Sequence, residues 1–204
     1  MAWFFTEKNI FGNNYTLVGE NAKHISKVLR MRTGDDITLV SPDKTQYECK
    51  ISLITPGEVT VDIISQKPCE NEPDVFVTLY QALPKGDKMD FIVQKAVECG
   101  ACEVIPFLSK RCISRPDKKQ LAKKRERWQR IAYEAAKQCG RGIIPQVGST
   151  IDISKIPALI SPENTGILFY ECAETPLREA VGEFTRSIDI VIGSEGGFEQ
   201  SEAE

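Results

Sequence analysis

Ile188-Asp189-Ile190-Val191-Ile192-Gly193-Ser194-Glu195-Gly196-Gly197-Phe198 is an apolar strand that opens directly into a glycine-rich turn. Glycines at 193, 196 and 197 let the backbone approach a ligand with no Cβ in the way. In an open α/β sheet, ligands sit beyond the carboxyl ends of the strands, where such a loop lies. The pattern is neither G-x-G-x-x-G nor a P-loop, since no G-K-[ST] follows. A strand that merely ends in a glycine turn satisfies it equally well.

Working outward, the same half of the chain alternates strands with helices. Residues 75–80, 103–107, 166–170 and 188–192 read as apolar strands. A helix capped by Asp87 carries Met89, Ile92, Val93, Ala96 and Val97 at helical spacing and stops at Gly100. Asp117 caps a longer helix to about Cys139, with Leu121, Trp128, Ile131, Ala132, Ala135 and Ala136 as its buried stripe, and a further helix is expected near Leu177–Phe184. Strands alternating with helices imply a mostly parallel sheet covered on both faces.

Residues 1 to about 70 read differently. Runs at 36–40, 47–51 and 59–63 are apolar or alternating and are separated by turn signals at Ser41-Pro42-Asp43 and Pro56-Gly57, which predicts a small β barrel or sandwich. One short helix is expected from Asn21, as its N-cap, to Leu29, with Ile25, Val28 and Leu29 on one face. The polar, proline-bounded Pro68–Pro73 reads as a linker.

With 41% apolar and 27% charged residues, the composition is that of an ordinary globular chain. No run of about eighteen apolar residues predicts a membrane span. Seven cysteines, an odd number in core-like sequence, lead to the expectation of reduced thiols and a cytoplasmic location. The charge is unevenly spread. Lys110–Arg141 holds twelve basic residues against three acidic ones, so this segment is +9 on a chain of net −3 and the remainder carries −12. A basic block on an acidic body is an electrostatic footprint for a polyanion, although a solvated helix face has the same composition. Within it, Arg111 and Arg115 precede the long helix, and Glu134, Gln138 and Arg141 fall on successive turns, where Gln138 and Arg141 are able to donate to phosphate or base edges.

Other chemistries find little support. Cys99-Gly100-Ala101-Cys102 closes a helix, whose C-terminal dipole raises rather than lowers a thiol pKa, so packing roles are expected. His24 is the single histidine, which rules out multi-histidine metal sites, and no nucleophile elbow is present. It is expected at the surface, beside Lys23, Lys27, Arg30 and Arg32.

Five motifs together resemble one family. They are His24-Ile25-Ser26-Lys27-Val28-Leu29-Arg30 with Gly34-Asp35; Leu83-Pro84-Lys85-Gly86-Asp87-Lys88-Met89; Gln94-Lys95-Ala96-Val97-Glu98-Cys99-Gly100; Arg127–Ala132 leading to Glu134–Arg141 and Ile144-Pro145; and Ile192–Phe198. In order and spacing they are similar to the ribosomal RNA small subunit methyltransferase E family. The resemblance implies an N-terminal PUA-like β-barrel RNA-binding domain (1–70) and a SPOUT-class α/β methyltransferase domain with a deep trefoil knot (74–204). It implies methyl transfer from S-adenosylmethionine to N3 of a uridine in 16S ribosomal RNA of the small subunit, by a homodimer, with no metal and no membrane partner.

Carried onto this sequence, the resemblance assigns the cofactor to Leu168, Phe169, Tyr170 and Glu171 and to Ile192, Gly193, Ser194, Glu195, Gly196 and Gly197. Candidate RNA contacts are Arg30, Arg32, Lys85, Lys88, Arg111, Lys124, Arg127 and Arg141, with Gln138 from the helix ridge. No catalytic base is named; Glu195 is the carboxylate closest to the loop, and capping backbone N–H groups is its expected task. The alternative is a non-catalytic RNA-binding protein with a vestigial pocket. Two departures stand out: Ser194 where the family usually has proline, and Ala2-Trp3 where arginine is usual. Family members continue through a helix and a second arginine-rich loop that thread the knot. The C-terminal part of the knot is therefore expected to lie beyond Glu204, and cofactor binding is expected to need it.

Overall fold

Long alternating runs and short helices sort the chain into two compact units, Met1–Glu72 with Lys137–Ile143, and Pro73–Ala136 with Ile144–Glu204. The computed structural model describes residues 2–182 and 185–204. Residues 137–143, at the end of the long basic helix and just beyond it, group with the first unit.

The first unit holds β1 (Ala2–Phe5), β2 (Asn14–Val18), α1 (Gly19–Lys23), β3 (Asp36–Val40), β4 (Thr45–Thr55) and β5 (Glu58–Pro68). The strands pair in the order β1-β3-β4-β5-β2, antiparallel except for β1 on β3. Register shifts between Glu48 and Cys49 and between Ile51 and Leu53 add the local bend that lets a five-stranded sheet curl over one core. Phe4, Leu17, Ile25, Ile37, Leu39, Ile51, Val59 and Val61 form that core. Period-2 alternation found β3, β4 and β5; β1 and β2 are too short and too weakly patterned to stand out.

The helix expected from Asn21 is corrected. It begins at Gly19, and the Asn21 amide donates to Phe5 O at 3.1 Å instead of capping. His24–Val28 then forms a π-helical turn, with Leu29 N bonded to His24 O. The wider turn rotates Val28 and Leu29 off the apolar face, so both are exposed and only Ile25 is buried. His24 is half-buried and meets Phe4 edge-on, with centroids 5.9 Å apart.

The second unit contains β6 (Phe76–Ala82), α2 (Lys88–Glu98), β7 (Glu103–Leu108), most of α3 (Lys118–Cys139), β8 (Gln146–Val147), β9 (Ile151–Asp152), α4 (Ile156–Leu159), β10 (Thr165–Phe169), α5 (Leu177–Ala180), β11 (Ser187–Ile192) and α6 (Gln200–Ala203). Every ladder is parallel, in the order β10-β11-β6-β7-β8, with β9 also on β7. Met89, Val93 and Val97 of α2 and Trp128, Ala132, Ala135 and Ala136 of α3 are buried, as their spacing predicts.

Asp117 caps α3 reciprocally with Gln120: Gln120 N donates to Asp117 Oδ1 at 2.8 Å and Asp117 N to Gln120 Oε1 at 3.2 Å. Asp87 occupies the N-cap position of α2, but its side chain makes no capping bond. The helix expected near Leu177–Phe184 is reduced to α5; Glu183 and Phe184 lie outside the described residues. Strands β8 and β9, two residues each, leave no periodic signal. Towards the N-terminal end of the sheet, Asp189 and Glu103 share one register row through Thr78. Burial, then the charge of Asp189, raises the Glu103 carboxyl, and burial pushes the Tyr80 phenol up to about 12. Asn164 donates to Asp189 at 2.7 Å, which satisfies a carboxylate buried in the sheet.

Candidate functional site

Parallel pairing brings the carboxyl ends of four strands into one row. Phe169 of β10 pairs with Ile192 of β11, Ile192 with Gln81 of β6, and Gln81 with Pro106 of β7. Beyond that row lies a cleft of about 560 Å³ lined by Phe169, Tyr170, Glu171, Ile192, Gly193, Ser194, Glu195, Gly196 and Gly197. Its size is that of a small-molecule site. Nine of the ten residues assigned to the cofactor therefore line one cavity. Leu168 does not: it lines a separate apolar hollow with Ile156, Ile160 and Val191. Successive strand residues point to opposite faces, so Leu168 and Phe169 cannot share an orientation.

The glycine loop folds back on itself. Gly197 N donates to Ser194 O at 2.9 Å, and Gly197 has φ +65°, a left-handed conformation that favours glycine. A Cβ on Gly193 would stand 3.1 Å from both Gly197 Cα and the Phe198 ring. Phe198 is buried and stacks on Phe107, so this neighbour has no room to yield.

Side chains from three other segments, Gln81, Arg111 and Lys88, tie the loop down. Gln81 Nε2 donates to Gly193 O at 3.1 Å and to Ala82 O at 3.0 Å. Arg111, in the loop after β7, donates to Gly196 O at 2.9 Å and lies 3.9 Å from Glu171. Glu195 accepts from Lys85 N at 3.2 Å and from Lys88 Nζ at 2.6 Å, at the start of α2. The Ser194 hydroxyl lies 3.5 Å from Arg111 O.

The Lys88 hydrogen bond, aided by backbone N–H groups, lowers the Glu195 carboxyl from its ordinary value near 4.5 to about 2. A carboxylate so acidic is a weak proton acceptor at neutral pH, which suits a brace and not a general base. Because the folded value is depressed, the brace is fully present above about pH 4.5 and lost as pH falls through about 2. Glu195→Gln, which keeps one acceptor for Lys85 N and loses the ion pair, is expected to weaken cofactor binding only about two- to fivefold, since exposed pairs contribute little. Its pH–rate profile between 5 and 8 should overlay that of the wild type. Loss in the variant of an acid limb near neutrality would instead make Glu195 the base.

Two family models cover most of the sequence: an RNA methyltransferase domain over residues 71–204 and an RNA methyltransferase PUA domain over residues 17–64. Ribosomal RNA small subunit methyltransferase E of Bacillus subtilis is 32% identical over 199 residues, covering 93% of this chain and 77% of that protein. The chain belongs to the ribosomal RNA small subunit methyltransferase E family. The Aquifex aeolicus member is 28% identical, with 98% of this chain and 84% of that protein covered. Among solved structures, the methyltransferase E of Neisseria gonorrhoeae bound to S-adenosyl methionine superposes with a TM-score of 0.88 at 29% identity, covering 100% of this chain and 84% of that one. A putative methyltransferase from Legionella pneumophila in complex with its cofactor gives 0.87 at 26% identity, with 99% and 83% covered. An RNA methyltransferase domain and a PUA domain, as expected from the motifs, are therefore both present in this chain.

Against that family frame, the candidate RNA residues fall into three groups. Arg30, Arg32 and Gln138, in the first unit, and Lys85 in the second are exposed. In the second unit, Lys88 and Arg111 are engaged by the glycine loop, Arg127 pairs with Asp90, and Lys124 lies 5.9 Å over the Trp128 ring. Arg141 stands apart by its burial. It is 3% exposed and gives Glu72 a forked set of bonds at 2.7–3.1 Å, while Glu72 also accepts from Gly142 N and Ile143 N. A guanidinium that is itself buried and gives Nε and Nη2 to a half-buried carboxylate is placed as a strut, and spacing along the helix gave no sign of Glu72, sixty-nine residues away. Sequence reading also missed Gln81, a polar residue inside an apolar strand run. Among the described residues no group of three or more His, Cys, Asp or Glu is placed to hold a metal ion, and no helix is long and apolar enough to cross a membrane.

Proposed function

We propose that this protein transfers a methyl group from S-adenosylmethionine to N3 of one uridine in 16S ribosomal RNA of the small subunit. The observation that carries the reading is the cleft: nine residues from two parallel strand ends and their loops line one cavity of about 560 Å³, in a chain of this methyltransferase family. The residues fit the cofactor. Phe169 and Ile192 offer exposed apolar surface for an adenine, backbone groups of Gly193–Gly197 offer directional hydrogen bonds, and the Glu171 carboxylate stands where a ribose hydroxyl or a cationic centre is accommodated.

S-adenosylmethionine, when bound, supplies a methyl group on an electrophilic sulfonium. What the chain supplies is placement: a braced loop fixes the cofactor against an incoming base, and proximity with alignment does most of the catalytic work. On this reading the N3 proton would pass to water, N3 would gain the methyl carbon, and the carbon–sulfur bonding pair would leave on sulfur as a neutral thioether. Exposed cations of α3 and of the Ser109–Asp117 loop offer phosphate contacts that hold the RNA in register. The family resemblance extends the proposal to a homodimer working in the cytoplasm.

The test is transfer of labelled methyl from S-adenosylmethionine by the full-length protein to small-subunit RNA lacking the modification. Label at N3 of a single uridine is expected; label on ribose or on a base carbon overturns the regiochemistry. The basic surface has its own test. Lys124→Glu with Arg130→Glu is expected to weaken RNA binding and to reduce the slope of log K against log salt by about 1.4, at about 0.7 per lost phosphate contact. S-adenosylmethionine affinity should be unchanged. Unaltered RNA affinity would remove α3 from the interface.

A further inference from the structure

We propose that Gln81 is a positioning residue for methyl transfer, acting through the Gly193 carbonyl to set the geometry of the cofactor loop; this rests on the methyltransferase reading above. Gln81 is the penultimate residue of β6, the strand between β7 and β11, and is 4% exposed. An amide buried in an apolar sheet costs free energy unless its donors are used. Both are used here, on Ala82 O at 3.0 Å and on Gly193 O at 3.1 Å.

Gly193 is the first residue past the β10–β11–β6 ladders, so its carbonyl lies beyond the last strand pairing and takes a side-chain donor instead. The Gly193–Ser194 peptide is planar and trans, so fixing the carbonyl towards Gln81 points the Ser194 N–H in the opposite direction within the same plane. Gly193 and Ser194 both line the cleft. One buried side chain thereby fixes two backbone groups at the point where the loop leaves the sheet. The other two ties, Arg111 to Gly196 and Glu195 to Lys85 and Lys88, are made by exposed side chains. The Gln81 bond has a buried donor and a half-buried acceptor, so water competes for it less than for those, which makes it the firmest of the three.

The proposal explains why a polar residue interrupts the run Phe76–Ala82. It also separates Gln81 from a mere core residue, because what matters is its ability to donate and not its volume. Gln81→Leu keeps the bulk and removes both donors, orphaning Gly193 O. Gln81→Glu is isosteric: the ionised carboxylate repels the two carbonyl oxygens, whereas the protonated form donates one hydrogen bond.

The experiment is calorimetric titration of the full-length protein with S-adenosylmethionine from pH 5 to pH 9, for the wild type and both variants, with RNA affinity and thermal midpoint measured alongside. Gln81→Leu is expected to bind about ten- to a hundredfold more weakly, the result of removing the buried donors to Ala82 O and Gly193 O, with a raised KM for S-adenosylmethionine and unchanged RNA affinity. Gln81→Glu is expected to recover affinity as pH falls, on a profile the wild type lacks, and this variant decides the matter even if Gln81→Leu fails to fold. Binding by Gln81→Leu within twofold of the wild type, or a Gln81→Glu profile parallel to the wild type, overturns the role of Gln81 and leaves the methyltransferase reading standing. A wild-type protein that binds no S-adenosylmethionine overturns both.

Discussion

Replacing Gly193 with valine is expected to weaken S-adenosylmethionine binding by about ten- to a hundredfold while leaving the protein folded. A Cβ there meets Gly197 Cα and the Phe198 ring at 3.1 Å, inside ordinary contact distance, and valine adds two further carbons. Neither neighbour moves cheaply: Gly197 is backbone held in the Ser194 turn, and Phe198 is 1% exposed against Phe107. Overpacking of this kind costs about 1–3 kcal/mol, and about 1.4 kcal/mol is a tenfold change in affinity. The loop lies at the sheet's end, so relaxation proceeds by opening the turn and the loss falls on the cleft. Calorimetric titration checks the affinity and a melting curve checks the fold. An affinity within twofold of the wild type would separate the glycine turn from cofactor binding.

The second large effect is on stability. Arg141→Leu leaves the half-buried Glu72 carboxylate with the Gly142 and Ile143 N–H groups as its remaining hydrogen-bond donors among the described residues. Breaking one side of a buried pair costs about 3–5 kcal/mol; with solvent still reaching Glu72 the low end, about 3 kcal/mol, applies, which for a chain of this size lowers the midpoint by roughly 6–12 °C. Glu72→Gln added to Arg141→Leu removes the stranded charge and keeps an acceptor for Gly142 N, so the double variant should recover part of the loss. Thermal melts of the three proteins decide this. A midpoint unchanged in Arg141→Leu, with RNA affinity reduced instead, would return Arg141 to the RNA surface.

Local periodicity made the second unit legible because parallel strands and their crossover helices carry their own signals. The apolar runs 188–192 and 103–107 and the stripe Trp128–Ala136 needed no knowledge of their partners. The glycine loop was legible as a turn at a strand end, but its meaning depended on company: no single residue in Gly193–Gly197 distinguishes a ligand loop from a plain turn. What sequence concealed were pairings across long separations. Glu72 with Arg141, and Gln81 with Gly193, join residues 69 and 112 positions apart. The π turn at His24–Val28 was hidden for a different reason. It inserts one extra residue into a helical turn, so a 3.6-residue template places Val28 and Leu29 on the wrong face. Charge was the least decisive signal, since Arg141 and Arg130 have identical side chains and opposite environments, one buried against a carboxylate and the other in solvent.

The most direct test of the central claim, that the cleft at the ends of β10 and β11 is the S-adenosylmethionine site of a ribosomal RNA methyltransferase, is a calorimetric titration of the full-length protein with S-adenosylmethionine, repeated with Gly193→Val. Saturable binding at one site per chain that Gly193→Val weakens at least tenfold is the predicted result. Absence of binding by the wild type, or equal binding by the two proteins, would contradict it.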